Sequence, residues 1–435
     1  MPKCGLQARL PLPIHAATAA FNMNNNRHFT LDALRGIAVM GILLMNVIGF
    51  AMPMAAYVNP RAWGGETTAD LIAWAAAFVL VEGKMRGIFS LLFGASLLLV
   101  IVRAEAKGAD TANVHFSRMF WLFLFGLFHY WFIWDGDILA LYAVCGCAAY
   151  ALRGLAPRQL MLAGVALMAL NLLIWAITLL AVHDMRHDAL LPGADAALVQ
   201  ELATVLAEFG EPDSALIAAQ LQLHLGPYQS IAGSRLADHI SAPFILIYAY
   251  GPETLGLMAW GMALMKSGLL TGGWPRRRYA RAAVLAYAIG LPLSALLAWA
   301  CWASSFETLL TADIYYVANL PVRMMVMIGH VMALLWVVTK APTGALLRRI
   351  AAAGRMALSN YLATSVLMTT LYYGYGLALY GQLTRWEVYL TVVPIWGLML
   401  LWSAPWLAHF NYGPLEWVWR SLARRQFQPM RITKG

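Results

Sequence analysis

Residues Leu31 to Met52 read LDALRGIAVMGILLMNVIGFAM, and how this stretch is read decides the fold. It is 22 residues long and apolar except for Asp32 and Arg35 at its start and Asn46 deep inside. About 20 residues, rising about 1.5 Å each, match the roughly 30 Å hydrocarbon core of a bilayer, so the stretch is a membrane-crossing helix. Arg35 and Asn46 are eleven residues apart. That is three turns plus about 20°, so they share one face, about 16 Å apart. The helix thus carries a cation near one membrane surface and an amide near mid-bilayer, aimed the same way. Polar groups at that depth normally face protein or a cavity. A cavity lined by this face is therefore expected.

The composition agrees. The chain has 435 residues, 61% of them hydrophobic and only 12% charged, where soluble domains carry about 25% charged residues. This is the profile of an all-α polytopic membrane protein. The net charge of +9 comes with no long basic tract, so it reflects Lys and Arg on cytoplasmic loops and not nucleic-acid binding. Cys4, Cys145, Cys147 and Cys301 have neither metal-ligand nor redox spacing. Residues 1–28 lack the apolar core of a signal peptide and read as a loose tail in which Met23 is a candidate start.

Reading onward, 53–68 is a loop with Pro53, Pro60, Gly64 and Gly65. Residues 69–102 are apolar apart from Glu82, Lys84 and Arg86. Loop charges at Arg103, Lys107 and Arg118 favour a single crossing here, with Lys84 and Arg86 held against protein. Residues 118–134 and 137–152 form a hairpin turning at Asp135-Gly136-Asp137, and 159–181 crosses back. The insertion 183–240 carries eight acids against two arginines, which places it outside. Within it Leu198, Leu202, Val205, Leu206 and Phe209 recur at helical spacing. Further spans are expected at 243–265, 279–302, 320–339, 356–378 and 386–408. Alternating basic loops then give about ten transmembrane helices, both termini cytoplasmic, and one extracytoplasmic helical insertion.

Four clusters carry chemistry. Asp32 and Arg35 sit one turn apart at a membrane mouth, where a guanidinium fork suits phosphate oxygens. Arg118 and His129, again eleven residues apart, share a face below Asp135 and Asp137. An imidazole titrates near neutrality and a carboxylate orients it, so His129 is the general-base candidate. Arg323 and His330 share a face of one span. Glu253 follows a Gly251-Pro252 break, which marks a cavity or a kink. There is no Gly-rich phosphate loop, no Ser nucleophile elbow and no metal-spaced His/Cys set; no metal is expected.

The blocks LDALRGIAVMGILLMNV, KMRGIFSLLFGASLLL, FLFGLFHYWFIWDGDILALYAV, LGLMAWGMAL, GRMALSNYLATSV and GPLEWVWR resemble the YeiB-like bacterial membrane proteins, a family of unknown function, in order over roughly 29–422. The first helix and WGGETTADL also look like the start of heparan-alpha-glucosaminide N-acetyltransferase, and LDALRG resembles acyltransferase family three. Those relatives pass an acyl group from coenzyme A, or a similar donor, to an acceptor across the membrane. The family-three helix has histidine ten residues after its arginine; here Arg35 is kept and Asn46 stands near that place. The acetyltransferase loop histidine is also missing, since that loop reads Val58-Asn59-Pro60-Arg61-Ala62 and no histidine lies between His28 and His115. A base must come from elsewhere, and His129 is the choice.

The resulting expectation is an acyltransferase-like protein of the bacterial inner (cytoplasmic) membrane. Asp32 and Arg35, with Lys84 or Arg86, bind the phosphates of acyl-CoA (acetyl-CoA included). Asn46 donates to the oxyanion, and His129, oriented by Asp135 or Asp137, deprotonates a glycan, lipid or small-molecule acceptor. The expected division is a tail 1–28, an acyltransferase-like core 29–182, the insertion 183–240, a YeiB-like membrane domain 241–422 and a basic tail 423–435. Besides the bilayer, a homodimer is allowed and nucleic acid is not expected. The alternatives are a transporter or lipid-binding protein for an anionic amphiphile, with Asp135, Asp137, Glu253 and His330 as gating or proton-relay groups, and a scaffold recruiting through 183–240.

Overall fold

A computed structural model describes residues 25–339 and 344–432, with side chains from Phe29 onward. The expected tail up to residue 24, with Cys4 and Met23, lies outside the described residues, as do 340–343 in the basic loop and 433–435. The described regular structure is helical, apart from one isolated bridge between Phe410 and Arg431.

Helix α1, Asn25–Ala51, covers the opening stretch. Short turns at Ala55–Val58 and Pro60–Ala62 follow, pinned by buried Arg385, whose guanidinium donates to the carbonyls of Ala56, Trp63 and Gly64. The segment expected as one crossing forms two consecutive helices, α2, Thr68–Leu80, and α3, Lys84–Glu105, which together make one candidate span. The break falls at Gly83, whose φ of 70° lies in the left-handed region that glycine tolerates. Hairpin helices α4, Thr111–Phe132, and α5, Leu139–Leu152, follow. Next, α6, Pro157–Ala189, runs beyond the expected exit at 182. The insertion folds as α7, Ala196–Glu208, α8, Ala215–His224, and α9, Tyr228–Ala237. As its spacing predicts, α7 buries Leu202 beside Phe209, against Leu179 and Val182 of α6. Leu198 is only half-buried.

The second half holds α10, Ala242–Lys266, α11, Arg276–Ala303, α12, Thr308–Asp313, and α13, Asn319–Val338. A π-helical turn over Ile314–Ala318 joins the last two. Then come α14, Ala345–Arg355, α15, Ala357–Tyr372, α16, Arg385–Leu390, α17, Val392–His409, and α18, Pro414–Arg424. The span expected over 356–378 stops at Tyr372; Tyr373 and Tyr380 beyond it are buried.

Among the described residues, six helical segments are long and apolar enough to cross a membrane. The apolar window of α1 is 72% buried, against 22% for those of α6 and α11. So α1 is the axis of the bundle. The outer helices point apolar side chains outward, including Leu162 and Leu180 on α6 and Val284 and Leu285 on α11, each at least 60% exposed. Such continuous apolar surface belongs in lipid. Against α1, helix α14 approaches to backbone contact. A Cβ on Gly36 would sit 2.0 Å from the Ile350 oxygen, and one on Gly354 2.0 Å from the Asp32 oxygen. Small residues allow this closeness where no hydrophobic force drives helices together.

Candidate functional site

Beside α1 opens a cavity of about 510 Å³. Its walls are the first half of α1, the second half of α3, the starts of α4 and α15, the hairpin residues Ile138 and Leu139, and α18. The interior is apolar (Val39, Ile42, Leu92, Phe93, Leu122 and Leu139), whereas the rim carries Arg35, Arg103, Arg118, Arg355 and Arg420 against Asp32 and Glu416. Five guanidiniums against two carboxylates leave the rim net positive, a match for an anionic head on an apolar tail.

Each rim group is held. Arg35 donates to Asp32 at 2.9 Å and to Ser96 Oγ at 2.7 Å, which fixes its fork across α1 and α3. The Arg118 guanidinium stacks 4.1 Å from Trp419, and Arg420 lies 4.7 Å from Tyr412. Buried Glu416 accepts from the backbone N–H groups of Leu358 and Ser359, capping α15 from its first turn. Burial still pushes the Glu416 carboxyl above the usual carboxylate range. Burial, with Arg424 and Arg103 nearby, holds the Arg420 guanidinium below its ordinary value.

At the inner end, Tyr361 of α15 lines this cavity and also a void of about 10 Å³ that contains Asn46, Thr364 and Ser365. The Tyr361 ring is 5.2 Å from His129. Fully buried His129 sets Nδ1 2.8 Å from Asp137 Oδ1. A carboxylate only accepts, so Nδ1 carries a proton, and in the neutral ring Nε2 is the nitrogen with the lone pair. Among the described residues that Nε2 has no partner. The other Asp137 oxygen caps α5 by accepting from Ala140 N–H, so one carboxylate both starts the helix and orients the imidazole. Asp135 is separate: it faces Arg235 of α9 at 3.7 Å.

Lys84 and Arg86 do not join Arg35. They start α3, whereas Ser96, the partner of Arg35, lies twelve residues on from Lys84, about 18 Å along the helix. Lys84 is fully buried and donates to the Phe78 carbonyl at the end of α2. Arg86 and Arg323 share one carboxylate, that of fully buried Glu253, at 3.1 and 2.6 Å. The Pro252 break is repaired by α6, since Asn171 accepts from Glu253 N–H and Trp175 donates to the Ala249 carbonyl. His330 uses both ring nitrogens, accepting from Tyr287 and donating to the Leu80 carbonyl. Among the described residues no group of three or more His, Cys, Asp or Glu gathers to hold a metal.

Reading the sequence alone missed Arg103, Arg355 and Arg420 as rim groups, Tyr361 as the inner wall and Arg235 as the partner of Asp135. Of the three arginines, Arg103 figured there only as a loop charge that sets the topology. Tyr361, Glu416 and Trp419 sit in GRMALSNYLATSV and GPLEWVWR, stretches used for recognition and not for chemistry.

A family model described as a protein of unknown function (DUF418) matches residues 264–426. Over 413 residues the chain is 32% identical to the uncharacterized protein YeiB of Escherichia coli (strain K12), covering 93% of this chain and 98% of that one. It is 27% identical to the uncharacterized protein YxaH of Bacillus subtilis (strain 168), covering 94% and 97%. At that identity over nearly the full length of both chains, this all-helical membrane protein belongs to the YeiB-like family, a family of unknown function.

Proposed function

We propose that this is a membrane-embedded acyltransferase that takes an acyl group from acyl-CoA at the arginine rim. The observation that carries the reading is the apolar cavity under five arginines, with the oriented His129–Asp137 pair one side chain behind its inner wall. The residues suit such a donor. Guanidinium forks bind phosphate oxygens, apolar walls take the pantetheine arm and acyl chain, and the unpartnered His129 Nε2 waits as a base.

The donor supplies a thioester: its C–S bond breaks as the acyl carbon bonds to an acceptor oxygen or nitrogen. His129 accepts the acceptor proton at Nε2 and passes it to the leaving sulfur. Asp137 holds the imidazole tautomer and stabilises its charged form. In this reading the rim faces the cytoplasm of a bacterial cell, the chain crosses the inner membrane about ten times with both ends inside, and α7–α9 cover the far side, where a glycan, lipid or small molecule is acylated.

The rim is complete without His129, which lines no part of the 510 Å³ cavity. That favours a second reading, a holder or carrier of an anionic amphiphile. Release of free thiol from acetyl-CoA or longer acyl-CoAs, with the acceptor pool of membrane extracts, separates the two. Turnover by wild type and none by His129→Ala supports transfer; uptake without thiol release supports the carrier.

A further inference from the structure

Two helices lead from the rim inward side by side. On α1 the cavity wall runs Arg35, Val39, Ile42, and the second void takes over at Leu43, Asn46 and Phe50. On α15 it runs Ala357, Leu358, Tyr361, and the void takes over at Thr364 and Ser365. Val39 and Ile42 form a wall common to both spaces. Among the described residues, Tyr361 alone lines both spaces from the opposite helix. Its hydroxyl points to the Gly136 carbonyl of the hairpin turn, at 3.4 Å, so the phenol bridges the passage from α15 to the hairpin.

We propose that Tyr361 is the ruler of the cavity: its ring sets the longest acyl chain that the site accepts. The inference rests on the acyl-CoA reading above and adds a specificity-determining residue to it. A linear chain with its head at the arginines lies along Val39 and Ile42 and meets the ring end-on. Shortening the side chain frees the volume of the ring and joins it to the void of about 10 Å³ that Leu43, Phe50 and Met399 line together with Asn46, Thr364 and Ser365, which lengthens the path without touching the rim.

The physical consequence is a step in chain-length dependence. Each methylene newly buried strengthens binding about 4-fold, from about 0.8 kcal/mol per methylene. Affinity therefore climbs along a series of saturated acyl-CoAs and stops climbing where the chain reaches Tyr361.

Calorimetric titration of the full-length protein with that series tests this without any turnover. In Tyr361→Ala the plateau should move to longer chains, with at least a tenfold gain for a chain three methylenes past the wild-type optimum. Tyr361→Leu, a milder truncation that keeps the core filled, should move it part of the way. Tyr361→Phe keeps the ring and should keep the wild-type plateau. Adding Ser365→Leu to Tyr361→Ala refills the void and should draw the plateau back. An unchanged plateau in both the Ala and Leu variants overturns the ruler while leaving acyl-CoA binding in place, and a plateau shifted by Tyr361→Phe overturns its steric basis. Failure of the wild type to bind any member of the series overturns the function reading itself, and the ruler with it.

Discussion

Asp137 Oδ1 lies 2.8 Å from Nδ1 of His129, both side chains are buried, and the remaining ring nitrogen has no partner among the described residues. This pairing leaves Nε2 available as the base of the proposed transfer. His129→Ala should lower acyl transfer by about 10²–10⁴-fold, the usual share of general-base catalysis, with acyl-CoA affinity unchanged. Asp137→Asn removes the charge that fixes the tautomer and should lower turnover with little effect on binding. Steady-state rates beside calorimetry of both variants check this; full activity in His129→Ala removes the assignment.

Glu253 is the shared counter-ion of Arg86 and Arg323. Glu253→Ala leaves two guanidiniums without their carboxylate, and breaking such a buried pair typically costs about 3–5 kcal/mol. Arg86→Met should be milder, because Glu253 keeps Arg323. Thermal unfolding in detergent should rank wild type above Arg86→Met above Glu253→Ala. The reverse ranking of the variants would show that the triad is not held by its carboxylate.

Where α1 and α14 touch, there is no room for a methyl group. Gly36→Ala or Gly354→Ala must push the helices apart, at about 1–3 kcal/mol for overpacking, and displace Arg35 and Arg355 beside them. Both variants should melt earlier and bind acyl-CoA more weakly. Unchanged melting would contradict the backbone contact.

Glu416 gives the rim a pH dependence. Burial raises its pKa, so the fold favours the neutral acid. Stability linked to this group is greatest at low pH and falls as pH rises above its ordinary value near 4.5. Losing its charge makes the rim more positive, so an anion binds more tightly as pH falls. An alkyl sulfate probe keeps its own charge across this range. Its affinity should rise on acidification in wild type and stay flat in Glu416→Gln. Burial lowers His115 on the same wall to about 4, and Asp32 also stands on the rim, so a dependence surviving in Glu416→Gln would belong to one of these groups.

Much of the architecture was legible because apolar runs and loop charges are local signals. The stretch 31–52 became α1, the Asp135–Asp137 turn became a hairpin, and the spacing in 198–209 became α7. The break at Gly83 was not placed, because Glu82, Lys84 and Arg86 around it read equally well as charges held against protein within one crossing, and the left-handed φ that turns the chain leaves no periodic signal. Charge type also carries no depth. Arg35 and Arg86 look alike in sequence, yet one faces a cavity and the other a buried glutamate. The cavity itself was half-legible. Of the pair at eleven-residue spacing Arg35 lines it, whereas Asn46 lines only the small void beyond Val39 and Ile42, and Arg355, Tyr361 and Arg420 come from more than 300 residues away in the chain. No periodicity links positions that far apart.

The most direct test of the central claim is calorimetric binding of acyl-CoA to the purified wild-type protein and to Arg35→Ala. Saturable binding in wild type, weakened at least tenfold in the variant, is the predicted result, since Arg35 is locked across the rim by Asp32 and Ser96. No binding of acetyl-CoA or longer acyl-CoAs to folded wild-type protein would contradict it.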